Sequence, residues 1–254
     1  LNHIYLNDHT MAGQRVVPLA AALDHVTAAA LDVAKTSTPG FTPFTVSDFA
    51  LERAILVPDT TWLDVSVTEQ LRAGKNGPLK VTLSQGNARS YAGTVTLGAN
   101  GEQPAIKSLV SSGPLPMTLE DFYKGFTFHG PRLQGITRID TLADEGVVGW
   151  VKGSTPADWV KEPLRQTWAV DPLIIDASFQ LAGYWAWTKQ QRAGFPVGVG
   201  KFVQLAPFGL GPIKCTVTFE AASEDVFAGT LVWQDAQGKV LAYMTGAKAE
   251  FKKR

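Results

Sequence analysis

The sequence predicts an α+β fold made of two antiparallel sheets, each covered on one face by a single long helix. Three observations carry this. Two segments have helical composition and length, Pro18 to about Lys35 and Asp171–Gln191, and each carries a Pro-Leu pair where its helix begins. Each is followed by segments that alternate apolar and polar residues, as strands with one buried face and one wet face must. Gly, Pro, Asn and Asp punctuate those segments where hairpins would turn. Pro18-Leu19 and Pro172-Leu173 lie 154 residues apart, so the order of one helix and then several strands recurs once.

Taken in order, His3–Leu6 reads as a short strand ahead of the first helix. Pro18 suits a first helical turn, where its missing N–H has no partner to lose, and the Ala- and Leu-rich run behind it favours helix. Pro39-Gly40 closes that segment. Phe44–Pro58 has room for one or two strands, and Trp62–Leu71 for another. Leu79–Gln85 and Ala88–Leu97 read as a hairpin around Gly86-Asn87. Gly98 to Pro116 shows little periodicity and reads as a linker. Thr118–Phe126 is a short helix with Thr118 placed to cap it, followed by strands near Gln134–Asp140 and Gly146–Lys152. Asp171 as N-cap and Pro172 at the first helical position open the second long helix. Strands at Ile213–Glu220, Val226–Gln234 and Val240–Phe251 follow, with turns at Ala221–Asp225 and Asp235–Gly238. The expected organisation is two halves, 1–98 and 117–254, joined by 99–116.

Composition removes several function classes. The 23 basic and 23 acidic residues cancel, so nothing draws the whole surface to nucleic acid. Cys215 is the sole cysteine, which forbids an internal disulfide and fits a reducing, cytoplasmic setting. Apolar runs break well short of about 18 residues, so no membrane span is expected, and no signal peptide is visible. The chain begins Leu1-Asn2 and ends Lys252-Lys253-Arg254, which fits a domain of a longer protein or a processed terminus. No Cys/His cluster with metal-site spacing, G-x-S-x-G motif or phosphate loop occurs, and no metal is expected.

Three stretches carry chemistry. His9, Gly13 and Pro18 form H-x3-G-x4-P. Asp176 and Gln180 lie four apart on the second helix, hence on one face, among Ile174, Ile175, Phe179 and Leu181. Burial of a carboxylate in such surroundings raises its pKa and keeps a proton on it, as a general acid near neutral pH requires. Histidine titrates near working pH, which makes His9 a natural base. The third stretch, Gly125–Ile136, places His129 ahead of the stiff pair Gly130-Pro131.

These motifs, in this order and spread over nearly the whole chain, resemble the dehydratase domain of modular polyketide synthases and its relative in polyunsaturated-fatty-acid synthases. That family carries H-x3-G-x4-P early, Y-G-P-x-F midway and H-P-x-x-x-D-x-x-x-Q/H late. The resemblance implies a double hotdog fold, with His9 from one half and Asp176 from the other sharing a site. It implies loss of water from a 3-hydroxyacyl thioester to give a 2-enoyl thioester. His9 would take the C2 proton, Asp176 would protonate the departing hydroxyl, and Gln180 would orient Asp176. Gly13, Pro18, His129, Gly130 and Pro131 would bind substrate or its oxyanion, with Gly13 allowing close backbone approach. No cofactor is implied, since a phosphopantetheine arm arrives with an acyl carrier protein. The implied partners are that carrier protein, neighbouring synthase domains and a second copy of the chain.

Departures from the family pattern concern specificity. Asp171 stands where many relatives have histidine, and His129 where tyrosine often precedes Gly-Pro. Leu133 replaces the phenylalanine of the middle motif, and L-P-F-x-W is blurred to Phe195-Pro196-Val197-Gly198-Val199. Trp168, Tyr184, Trp185 and Trp187 fit either core or an acyl tunnel. Arg132, Arg138, Arg165 and Lys201 fit either solvated surface or a face for an acidic carrier. Asp8 beside His9 reads as structural. Alternatives to the lyase are an isomerase or cyclase of the same fold, an inactive docking module, and an unrelated lipid-binding barrel.

Overall fold

The computed structural model describes residues 3–34, 41–59, 61–69, 77–99, 101–220 and 226–251. The expected turn at Ala221–Asp225, the closing pair Pro39-Gly40 and the end of the Trp62–Leu71 segment lie outside the described residues.

A 3-10 turn, Ile4–Asp8, begins the described chain where a short strand is expected; only His3 forms a strand-like bridge, to Val160. A two-residue-per-arm hairpin follows, β1 (Thr10–Met11) and β2 (Gln14–Arg15). Helix α1 runs Leu19–Val33, with Pro18 as its N-cap rather than its first helical residue. It buries Leu19, Leu23, Val26 and Ala30. Four strands come next: β3 (Phe44–Leu51), β4 (Leu63–Glu69), β5 (Leu79–Gln85) and β6 (Ala88–Leu97). Residues 101–117 carry no helix or strand.

The second half opens with α2 (Leu119–Gly125), whose Thr118 hydroxyl accepts from the Asp121 N–H at 3.1 Å. A 3-10 turn (Pro131–Leu133) leads into β7 (Ile136–Ala143) and β8 (Gly146–Val151). The one-turn helix α3 (Pro156–Trp159) starts in a capping box formed by Thr155 and Asp158. Helix α4 spans Pro172–Gln190. The last strands are β9 (Gly194–Gln204), β10 (Ile213–Glu220), β11 (Val226–Gln234) and β12 (Val240–Phe251).

Ten strands form one antiparallel sheet in the order β4-β5-β6-β3-β9-β12-β11-β10-β8-β7. The two expected sheets are thus continuous, joined by pairing of β3 with β9 from Phe44↔Gln204 to Ala50↔Gly198. β9 is the strand that alternation does not reveal. Gly194, Pro196, Gly198 and Gly200 interrupt its pattern, and such residues ordinarily demote a segment from strand. Here they permit close packing: a Cβ on Gly198 would lie 3.1 Å from the Phe49 carbonyl oxygen, and one on Gly200 3.1 Å from that of Thr245.

α1 packs on β4 and β5, α4 on β8, and the helices touch each other. α4 is buried on nearly every side, so it is apolar around most of its circumference. Asp171 caps it. Its Oδ1 accepts from the Leu173 N–H at 2.9 Å, and its carboxylate also takes the Ser154 N–H at 2.6 Å and hydroxyl at 2.8 Å. Asp24, fully buried on α1, ties the halves together: it accepts from Arg165 and from the N–H groups of Ala169 and Val170 at 3.0 and 3.1 Å. Burial pushes its pKa up to about 6, while Arg165 and the two N–H groups pull it down. Asp24→Ala strips two backbone donors of their acceptor, so it is expected to destabilise the fold by about 1–3 kcal/mol in equilibrium denaturation.

Candidate active site

The first motif is a device for aiming His9. Ala12 and Gly13 both have positive φ, 50° and 78°, as a tight two-residue hairpin turn of type I′ requires. The turn folds Val16 back onto His9: the Val16 N–H donates to the His9 carbonyl at 3.0 Å, and the Val16 carbonyl lies 2.7 Å from His9 Nδ1. A carbonyl only accepts, so Nδ1 carries the proton and Nε2 keeps its lone pair. Gly13 is exposed and does not line the cavity described below. Its positive φ gives it a conformational reason, the turn. Pro18 does line the cavity, at the start of α1.

The middle motif docks against this hairpin. His9 and His129 form an antiparallel bridge, and the Gly130 N–H donates to the Asp8 carbonyl at 2.8 Å. Arg132 Nη1 donates to Asp8 Oδ2 at 2.8 Å. A Cβ on Gly130 would collide with the Asp8 side chain, so a larger residue there would have to displace Asp8. Gly130 and Pro131 do not line the cavity; they build the turn that presents His129. Here the chain passes hard against Asp8.

The late motif supplies Asp176 and Gln180 from one face of α4. Gln180 Nε2 donates to Asp176 Oδ2 at 2.7 Å and to the Leu133 carbonyl at 2.8 Å. Gln180 Oε1 accepts from the Tyr123 hydroxyl at 2.8 Å, which itself accepts from the Ile136 N–H at 3.1 Å. Tyr123 is a site residue that sequence reasoning missed. It sits on the short helix α2, and nothing in its local pattern points 57 residues ahead to Gln180.

His9, His129 and Asp176 converge. A ring nitrogen from each histidine and a carboxylate oxygen all lie within 4.8 Å of one another, and His129 Nε2 is 3.3 Å from Asp176 Oδ2. Burial raises the Asp176 pKa, against pulls downward from His9 and the Gln180 bond. Burial lowers that of His9, which Asp176 and the Val16 carbonyl oppose and His129 reinforces. Burial alone pushes His129 down to about 4. Asp176 is thereby biased toward its protonated form, and both imidazoles toward their neutral forms.

All three face a cavity of about 230 Å³. Its other walls are largely apolar, with Met11, Leu51, Phe122, Phe179, Trp187 and Phe195 prominent. Of Trp168, Tyr184, Trp185 and Trp187, Trp187 lines it. Tyr184 and Trp185 are core residues bonded to the Met117 and Ala143 carbonyls, and Trp168 donates to Ser154 Oγ. Of the four basic residues weighed for docking, Arg132, Arg138 and Arg165 form ion pairs with Asp8, Asp140 and Asp24.

Residues 101–250 match a family profile described as the polyketide synthase dehydratase N-terminal domain, and residues 1–85 match one described as the polyketide synthase dehydratase domain. The chain belongs to the polyketide synthase dehydratase family. Dehydratases of this family are hydro-lyases that remove water from 3-hydroxyacyl thioesters, generally without a cofactor. The chain is 25% identical over 216 residues to a polyunsaturated fatty acid synthase polypeptide of Thraustochytrium sp., covering 81% of this chain. It spans 8% of that much longer polypeptide. The dehydratase domain of RzxB from Pseudomonas fluorescens aligns over 96% of this chain and 89% of its own, at 18% identity and a TM-score of 0.76. That of PpsC from Mycobacterium tuberculosis, in complex with C12:1-CoA, aligns over 98% and 89%, at 20% identity and a TM-score of 0.75. The fold is the double hotdog of these dehydratase domains. No helix among the described residues is long and apolar enough to cross a membrane.

Replacing Tyr123 with Phe breaks the hydroxyl link behind Gln180 while keeping the ring. If Asp176 is the working acid, Tyr123→Phe is expected to lower kcat about tenfold with KM little changed, measured by steady-state turnover.

Proposed function

We propose that this chain is the dehydratase domain of a multidomain synthase, acting on a 3-hydroxyacyl group carried by an acyl carrier protein. The carrying observation is that His9 and Asp176, 167 residues apart in sequence, face one apolar cavity with a ring nitrogen and a carboxylate oxygen within 4.8 Å. His9 Nε2 takes a proton from C2. The C2–H electrons become the C2–C3 double bond. The C3–O bond breaks, and the hydroxyl leaves as water with the proton that Asp176 supplies. His9 is then a cation and Asp176 an anion, and their closeness lets the proton return and reset both. Nothing is oxidised or reduced. Gln180 holds Asp176 Oδ2, which leaves Oδ1 for the transferable proton. The N-terminus of α1 has no side-chain cap, and Pro18 and Leu19 line the cavity, so its free N–H groups are available to the thioester oxygen as charge develops there.

Two relatives support the reading. A His-to-Phe variant of the CurK dehydratase is described as inactive, and PpsC is held with an acyl-CoA, itself a thioester. In this reading the phosphopantetheine arm comes with the carrier, neighbouring synthase domains are partners, the setting is cytoplasmic, and a homodimer is expected. The halves 1–98 and 117–254, with 99–116 between them, work as one catalytic unit.

His9→Ala and Asp176→Asn are each expected to lower turnover by about 10²–10⁴-fold, followed as loss of one water from a 3-hydroxyacyl carrier protein by mass spectrometry. Full activity in either variant rejects its assigned role, and chromatography of the product separates the enoyl thioester from isomerised or cyclised species. Trp187 forms part of the apolar wall. Trp187→Ala is expected to raise KM for a long acyl chain about tenfold or more while kcat changes less, because uniform binding is what it removes.

A further inference from the structure

His9, His129 and Asp176 also make a metal-ligand set. No sequence spacing announces it, because its members come from the first hairpin, the turn before β7, and α4. A tetrahedral zinc ion with bonds of about 2.0–2.1 Å holds neighbouring ligand atoms about 3.4 Å apart. His129 Nε2 and Asp176 Oδ2 are 3.3 Å apart already, and the third ligand atom lies within 4.8 Å of both. To coordinate, the His9 ring must shift toward the pair. Two of the three ligands, His9 and Asp176, have outer contacts of the form found around zinc ligands, whereas His129 Nδ1 is buried without a hydrogen-bond partner among the described residues. His9 Nδ1 donates to the Val16 carbonyl at 2.7 Å, which leaves Nε2 to coordinate. Asp176 is held by Gln180 at 2.7 Å. The backbone bridge between His9 and His129 fixes two of the three relative to each other. Two imidazoles and one carboxylate suit zinc and not magnesium or calcium, which take oxygen ligands.

We propose that His9, His129 and Asp176 bind Zn²⁺, and that the bound ion blocks elimination. This goes beyond the dehydratase reading. Zinc would occupy the His9 lone pair that must accept a proton and the Asp176 carboxyl that must give one. His129 decides the matter: the family resemblance leads one to expect tyrosine there, and histidine supplies the third ligand. The fourth position opens on the cavity, where water or a substrate oxygen completes the shell.

The test titrates chelator-treated protein with Zn²⁺, without substrate, by calorimetry and thermal shift, with Mg²⁺ as control. Expected are saturable binding at one ion per chain, a rise in Tm with Zn²⁺, and none with Mg²⁺. His129→Phe keeps the ring packing against Phe128 and removes the ligand; it is expected to weaken zinc binding about tenfold or more. His129→Gln serves the same purpose should the Phe variant not fold. No saturable binding in the wild type, or equal binding in the variants, overturns the site. The second outcome would move the ion elsewhere, for instance to Asp24 and His25. In wild-type protein Zn²⁺ is expected to suppress turnover and EDTA to restore it; unchanged turnover at saturating Zn²⁺ overturns the blocking role. The binding arm uses no substrate, so it reads out even if the dehydratase reading fails.

Discussion

The pairing of β3 with β9 is the contact on which the rest depends. It turns a four-stranded and a six-stranded sheet into one and removes an open edge from each half. It also sets the distance between α1 and α4, which touch because their sheets are continuous. A site assembled from His9 and Asp176 requires that distance to be fixed. The hairpin bearing His9 belongs to the first half, and the helix bearing Asp176 to the second. A slip of one residue in the β3–β9 register would turn side chains to the wrong face along the whole seam. The glycines of β9 make the chosen register possible by admitting the Phe49 and Thr245 carbonyls at close range.

Two further ties hold the halves, and each is made of polar groups that burial forces into partnership. Asp24 draws the segment before α4 onto α1 by accepting from Arg165 and two backbone N–H groups. Asp8 draws the turn at Gly130 onto the His9 hairpin, using its carbonyl for Gly130 and its carboxylate for Arg132. The middle motif is therefore joinery. A Cβ at its glycine would strike the Asp8 side chain, and the turn places His129.

Local rules make most of the secondary structure legible. Alternation finds β5, β6, β10, β11 and β12, and capping residues find α2 and α4. Those rules fail where tertiary contacts override them. Ile4–Asp8 is a 3-10 turn because its chain must deliver His9 to the hairpin. β9 is hidden by the same small residues that let it pack. The site is legible by motif for His9, Asp176 and Gln180. Tyr123 is not, because its link to Gln180 is made only when α2 packs beside α4. Gly13 is legible as a necessary glycine but not in its purpose, since motif and turn both demand it and only the φ of 78° tells them apart.

The site is costly to the fold, and the cost has a pattern. Three ionisable groups share an apolar cavity, where burial penalises every charge they carry. A protein built for stability alone would place leucine or phenylalanine there. The penalty is smallest when Asp176 keeps its proton and both histidines stay neutral, and that is the charge state from which the proposed elimination starts. In the pair that the proposed proton transfer would leave, His9 cationic and Asp176 anionic, mutual attraction offsets part of the penalty. Desolvation therefore favours the neutral form of all three groups, and attraction between His9 and Asp176 works against it. The closeness that the proposed proton return needs is what a single divalent ion would exploit, so the proposed chemistry and the proposed zinc binding rest on one arrangement of three side chains.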